Sequence, residues 1–261
     1  MEIDTDVLGQ MVAEVDELHH EGMRSMAEQI AELHYGEGRR LRRAAASEAD
    51  EAARASRRRF LRDAGAVGLS GVVVSLGAAV LPIERLLPAA VAADTAPLDD
   101  PTIAAFAESV ELAAVAAYQK AASGGLVKTP AVLAAATTFA SHHQEHAAAF
   151  AGASGGKATH KPNPTVLQLV GDQITAARTE SAVLEAAFGM ENSAASTYLF
   201  ALGALKSRVA LQLTASILPV ESQHATVLGT ALGKPLTDAL FMPSFITEQE
   251  KVDPTKFPPA K

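Results

Sequence analysis

Apolar and small residues run through most of this chain at helical spacing, and long β-branched blocks bounded by turn residues are absent, so the pattern predicts helices alone. Near the start, Leu8, Met11, Val12, Val15 and Leu18 suit one face of an amphipathic helix. From residue 100 onward, punctuation residues divide the chain. Asp100 followed by Pro101 reads as an N-cap and first helical residue, and the helix it starts should run to about Ala122, where Gly124 and Gly125 end it. Thr129 and Pro130 repeat the start signal for a second helix to about Ala151. Gly152, Gly155, Gly156, Pro162 and Pro164 then form a central connection, with a short helix from Thr165 to about Ala177 inside the crossover. A third long helix is expected from near Thr179 to about Leu205, and a fourth from about Lys206 to Leu232, before Gly233 and Pro235. The Pro-punctuated tail, Pro243 to Lys261, should wrap the bundle without regular structure.

Short links between helices one and two, and between three and four, make antiparallel neighbours, while the long 152 to 164 connection can cross the bundle. The expected architecture is all-α: a four-helix bundle with one crossover, behind a helical N-terminal extension. The expected boundaries are a charged extension at 1–55, an apolar segment with a basic lead at 56–92, the bundle at 93–243 and the tail at 244–261.

Composition narrows the chemistry. The 261 residues are 48% hydrophobic and 5% aromatic, with no Cys or Trp, which excludes disulfides, thiolate zinc sites and Cys nucleophiles. A net charge of -8, with no Lys/Arg cluster after residue 62, argues against a nucleic-acid surface. Gly-rich phosphate loops, dinucleotide fingerprints and Ser-His-Asp arrangements are not evident, so no organic cofactor and no catalytic residue is assigned.

Ser56-Arg57-Arg58-Arg59-Phe60-Leu61-Arg62 precedes an uncharged, glycine-containing run from Ala64 to Ile83, and Ala90-Val91-Ala92 offers small residues for cleavage. This segment resembles a twin-arginine export signal, which implies the twin-arginine machinery as a partner and delivery to the periplasm, cell envelope or extracellular space. The alternative is an uncleaved transmembrane anchor at 64 to 83, since about 20 residues can span a bilayer. Export with cleavage near Ala92 is favoured, because the run is only mildly apolar and ends at Pro82 and Glu84-Arg85. About 55 residues ahead of the arginines are unusual for such a signal. They read as a genuine extension, or the chain starts downstream at Met23 or Met26. His19, His20 and His34 are read mainly as part of a solvated helix face.

Against the alanine background, one polar pattern occurs twice. Glu111 is followed seven residues later by Tyr118 and then by His143-x-x-His146; Glu191 is followed seven later by Tyr198 and then by Glu221-x-x-His224. Residues three or four apart share a helix face, so each pair projects together, and the two single glutamates sit among apolar neighbours. A buried carboxylate without a partner costs several kcal/mol or becomes neutral, and a cation removes that cost. Carboxylate and imidazole donors gathered from four helices suit Fe, Mn or Zn.

These motifs resemble the ferritin-like superfamily over residues 99 to about 243, and more closely the secreted bacterial ferritin-like domains related to desiccation-associated proteins. The resemblance implies a ferritin-like bundle with one or two Fe or Mn ions and with metal oxidation or peroxide handling. Glu111 and Glu191 would be terminal ligands, Glu221 a bridge, and His146 and His224 terminal imidazoles. His143 stands where the second bridging Glu belongs, which removes one of four expected carboxylates and points to a mononuclear, asymmetric or His-rich site. The metal candidates are therefore Glu111, His143, His146, Glu191, Glu221 and His224, with His142 near enough in sequence to approach them. Glu145 is turned about 200 degrees from His143 and is expected in a supporting role or in solvent. Tyr118 and Tyr198 read as core residues with satisfied hydroxyls, Met190 as packing, and Glu108, Glu180 and Glu185 as surface or helix-start charges. The alternative function is a cell-envelope structural or interaction protein whose Glu and His form a metal-free network. Homo-oligomer formation stays open, although a short bundle with an irregular tail shows no sign of the surfaces a storage cage needs.

Overall fold

A computed structural model describes residues 4–35, 98–234, 252–254 and 256–259. All its regular elements are helices: α1 (Thr5–Tyr35), α2 (Asp100–Ser123), α3 (Pro130–Ala153), α4 (Pro164–Ala176), α5 (Glu180–Ala204) and α6 (Arg208–Ala231). The signal-like residues 56–92, the candidate membrane span at 64 to 83 and most of the expected tail lie outside the described residues. Among those described, no helix is long and apolar enough to cross a membrane. The chain divides into two units, Met1–Arg24 with Pro82–Lys261, and Ser25–Leu81. The second is described only through the final turns of α1.

The first unit is the one-crossover bundle that the linker lengths imply. Helix α2 pairs with α3 and α5 with α6, the hairpins meet through α2 with α5 and α3 with α6, and α4 lies against α2 and α5. The caps explain the boundaries. Asp99, one residue before the expected cap, accepts a hydrogen bond from Thr102 N at 2.9 Å. Asp100 is instead the first residue of α2, and its carboxylate accepts from Lys206 N at 3.1 Å, tying the start of α2 to the α5–α6 link. Thr179 and Ser207 cap α5 and α6 in the same side-chain manner, satisfying amides that would otherwise lack partners. Gly125 has φ +75°, a conformation that side chains disfavour, and it turns the chain between α2 and α3. Pro219 lies inside α6, two residues before Glu221, and the helix continues through it.

Phe139 and Ile217 have no exposed surface, and each contributes about 1.5–3 kcal/mol through burial. Alanines fill much of the remaining interior, so backbones approach closely and large polar residues stand out. On α1, Leu8, Val12, Val15 and His19 form the buried stripe at spacings of four, three and four. Leu18 was expected on that stripe but is 53% exposed, and His19 takes the interior place.

The central connection is held by Glu108, which sequence placed at the surface. Its side chain is buried and accepts from His160 N at 2.9 Å and Thr159 N at 3.3 Å, giving loop amides the partners that solvent would otherwise provide. Asn163 joins three parts of the fold. Its Oδ1 caps α4 through Val166 N at 3.1 Å, its backbone N donates to Ser109 O at 2.7 Å, and its Nδ2 donates to Phe257 O at 2.8 Å. The described tail is irregular, with Val252 and Phe257 buried and Val252 N donating to Thr197 Oγ1 at 2.7 Å.

Candidate metal centre

All six sequence-nominated residues point into one interior cluster, and each is at most 2% exposed. Helix α2 supplies Glu111, α3 His143 and His146, α5 Glu191, and α6 Glu221 and His224. The matching heights follow from the repeat: two antiparallel hairpins bring the third station of each half opposite the first.

The donors form two overlapping groups of four. One contains Glu111, His143, His146 and Glu221, the other His143, Glu191, Glu221 and His224, and in each the donor atoms lie within 4.8 Å of one another. His143 and Glu221 belong to both. Nδ1 of His143 lies 2.6 Å from Glu111 Oε2, whereas Nε2 lies 3.1 Å from Glu191 Oε1 and 3.9 Å from Glu221 Oε2. One ring thus presents a donor to each group, occupying the position where a bridging carboxylate would present two oxygens. His146 Nδ1 is 3.0 Å from Glu221 Oε1, and His224 Nδ1 is 3.4 Å from Glu191 Oε2 and 3.5 Å from Glu221 Oε2.

The tyrosines cross over. Tyr118, on the helix of Glu111, donates to Glu191, and Tyr198, on the helix of Glu191, donates to Glu111. Burial and the carboxylates push both phenols well above their ordinary pKa. Phe139 stacks on His224 at 4.0 Å between ring centres and closes that side with apolar surface.

Opposing charges shift Glu111, Glu191, His143 and His146 away from their ordinary pKa values. Burial alone would raise Glu111, but the facing His143 and His146 outweigh it and hold its carboxyl down to about 2. Glu191 is likewise low despite burial, because of His143 and His224. Burial works against protonation of His143, yet Glu191, Glu221 and Glu111 hold its pKa well up; His146 is raised to about 9 against the same burial, chiefly by Glu111.

These pairs leave part of the cluster unsatisfied. His146 Nε2 is buried with no hydrogen-bond partner, while His146 Nδ1 and both Glu221 oxygens have close charged neighbours but no well-aligned hydrogen bond. A buried polar atom left unmet, as His146 Nε2 is, costs roughly 1–3 kcal/mol. A divalent ion would engage these atoms, since neutral imidazole nitrogens and carboxylate oxygens are ordinary ligands for first-row metals. The residues present therefore fit a metal ion.

A further layer lies beside these donors: sequence reasoning brought His142 near the site but missed that α1 docks on it with Asp16 and His19. His142, buried, places Nδ1 3.0 Å from His224 Nε2 and Nε2 3.0 Å from Asp16 Oδ1 on α1. His19, read as solvated, is 1% exposed; it stacks on His142 at 3.8 Å and places Nε2 3.2 Å from Glu145 Oε2. Burial, with the neighbouring imidazoles adding to it, pushes the His19 pKa down to about 3. His20 does face solvent, with its side chain 51% exposed. The signal available was the stripe Leu8, Val12, Val15, whose next step is His19 rather than Leu18.

The ferritin-like domain family model matches residues 99–234, from the cap of α2 to the end of α6. The chain belongs to the ferritin-like domain family. No curated protein and no solved structure matches it. The ferritin-like match covers every one of the six donors and leaves α1, with Asp16, His19 and His20, outside it.

Proposed function

We propose that this chain is an exported ferritin-like protein of the desiccation-related type that binds Fe or Mn within the bundle and uses the ion in metal oxidation or peroxide handling. The observation that carries the reading is the pair of overlapping Glu/His groups, with buried His146 Nε2 lacking any hydrogen-bond partner and the Glu221 carboxylate held by charge contacts alone. A bound Fe or Mn ion would supply one-electron redox chemistry. Glu111, His146, Glu191, Glu221 and His224 would hold it, and His143 would reach both groups. Tyr118 and Tyr198 orient the Glu191 and Glu111 carboxylates, while Phe139 covers the His224 side of the cluster.

Export is supported by the twin-arginine-like segment ahead of residue 93. That route carries folded proteins, which suits a site completed before transport. The competing reading, a metal-free envelope protein, draws support from the internal pairing of His143 with Glu111 and Glu191.

The discriminating experiment loads the full chain with Fe(II) or Mn(II) and measures bound metal beside a Glu191→Ala/Glu221→Ala variant. The proposal expects at least a tenfold loss of affinity in the variant. Equal metal in both would leave the metal-free network as the function of these residues. N-terminal sequencing of the exported form separates cleavage near Ala92 from a retained anchor.

A further inference from the structure

Helix α1 brings a second set of ligand-type groups to the bundle. Asp16 Oδ1 lies 3.0 Å from His142 Nε2 and 3.4 Å from His20 Nδ1. Donor atoms from these three residues lie within 4.8 Å of one another. A tetrahedral ion with bonds of about 2.1 Å needs its ligand atoms roughly 3.4 Å apart, so an ion would draw this set inward, and His20 Nδ1, which donates to Asp16 O at 2.8 Å, would give up that proton to ligate. Glu145 adds a second carboxylate, with Oε1 3.6 Å from His20 Nε2. The setting differs from the inner cluster: the side chains of Asp16 and His20 are about half exposed, whereas His142 is fully buried.

We infer that Asp16, His20 and His142 form an outer binding station for a divalent first-row metal ion, separate from the bundle's inner donors and open to solvent on its α1 side. Two imidazoles and a carboxylate are an ordinary ligand set for such an ion, and the exposed side leaves positions for water. The pairing of Asp16 with His142 is not needed to hold α1 in place, because Leu8, Val12 and Val15 already bury its apolar face. The His142 to His224 contact at 3.0 Å makes this ring the link between the outer and inner stations. That contact holds one proton, so ligation through His142 Nε2 requires His142 Nδ1–H to donate to His224 Nε2, and the outer station binds best when His224 Nδ1 holds no inner ion.

The test uses the full chain and Co(II). In the Glu191→Ala/Glu221→Ala background, which disables the inner groups, one Co(II) per chain should remain by equilibrium dialysis. Adding Asp16→Asn and His20→Gln should weaken that binding at least tenfold. In the unsubstituted chain, Co(II) should protect His20 from acylation by diethyl pyrocarbonate, read by peptide mass spectrometry. This second measurement does not require the inner-site variant to fold. Absence of Co(II) from the inner-site variant, Co(II) binding indifferent to the α1 substitutions, or full reactivity of His20 with Co(II) present would each overturn the inference. The inner-site proposal would stand in all three cases.

Discussion

His143 sets the electrostatics of the centre. In the metal-free protein its protonated ring lies between Glu111 and Glu191 and compensates two buried carboxylates. His143→Glu should therefore remove a cation and add an anion, destabilising the metal-free chain by about 3–5 kcal/mol, the usual scale for stranding a buried charge. Urea titration of the chelator-treated protein measures this. With four carboxylates, the same variant should bind two Mn(II) ions and regain stability when loaded. The inner residues were legible in sequence because large polar groups at repeated spacing have few roles inside an alanine-rich bundle. The tyrosine pairing was not: Tyr118 shares a face with Glu111, but its hydroxyl reaches across to Glu191, and that distance depends on how the two hairpins pack. Glu108 was read as a surface charge for a related reason, since its partners are backbone amides of a loop whose path no side-chain pattern records.

At the level of elements, the helix boundaries followed from local chemistry, and they moved by a residue where two acidic groups compete. Both Asp99 and Asp100 can cap, and Asp99 does so because Asp100 reaches the start of α6. The docking of α1 was less legible. Its stripe predicts an amphipathic helix, but no local pattern states that His19 continues the stripe or that His142, over a hundred residues away, receives it. Asn163 offers a direct test of how the elements are joined. Asn163→Ala should cost about 2–4 kcal/mol, combining a lost helix cap with an unmet buried carbonyl at Phe257. Asn163→Asp keeps a cap acceptor but turns a buried carboxylate oxygen on the Phe257 carbonyl, so at neutral pH its urea midpoint should fall no higher than that of the alanine variant and should recover as acid neutralises the carboxyl.

Across the whole molecule, opposing groups of histidines should give the metal-free protein a stability maximum near pH 6.5. His146 is raised from 6.5 to about 9, so its contribution is complete below 6.5 and is lost as pH rises through 9. His19 is lowered from 6.5 to about 3, so folding favours its neutral form and that contribution declines as pH falls below 6.5. Glu111, lowered from 4.5 to about 2, adds to the acid-side loss below 4.5. Urea midpoints of the chelator-treated chain from pH 4 to 9 should trace this maximum. A bound metal should reverse the alkaline decline, because ligation requires deprotonated donors. Export bears on the same assembly. Cleavage near Ala92 would cut the chain between α1 and the bundle, so the contacts of His19 and Asp16 belong to the uncut protein.

The crossed tyrosines also bear on how the two halves assemble. Neither hairpin completes its own acidic ligand; each lends a hydroxyl to its twin and borrows one back. A hairpin cut free at the central glycines would carry a half-dressed glutamate in a greasy interior, while mixing the two fragments should restore both bonds at once. The repeated spacing in the sequence thus becomes a mutual dependence, in which each hairpin supplies the hydroxyl that the other's glutamate needs.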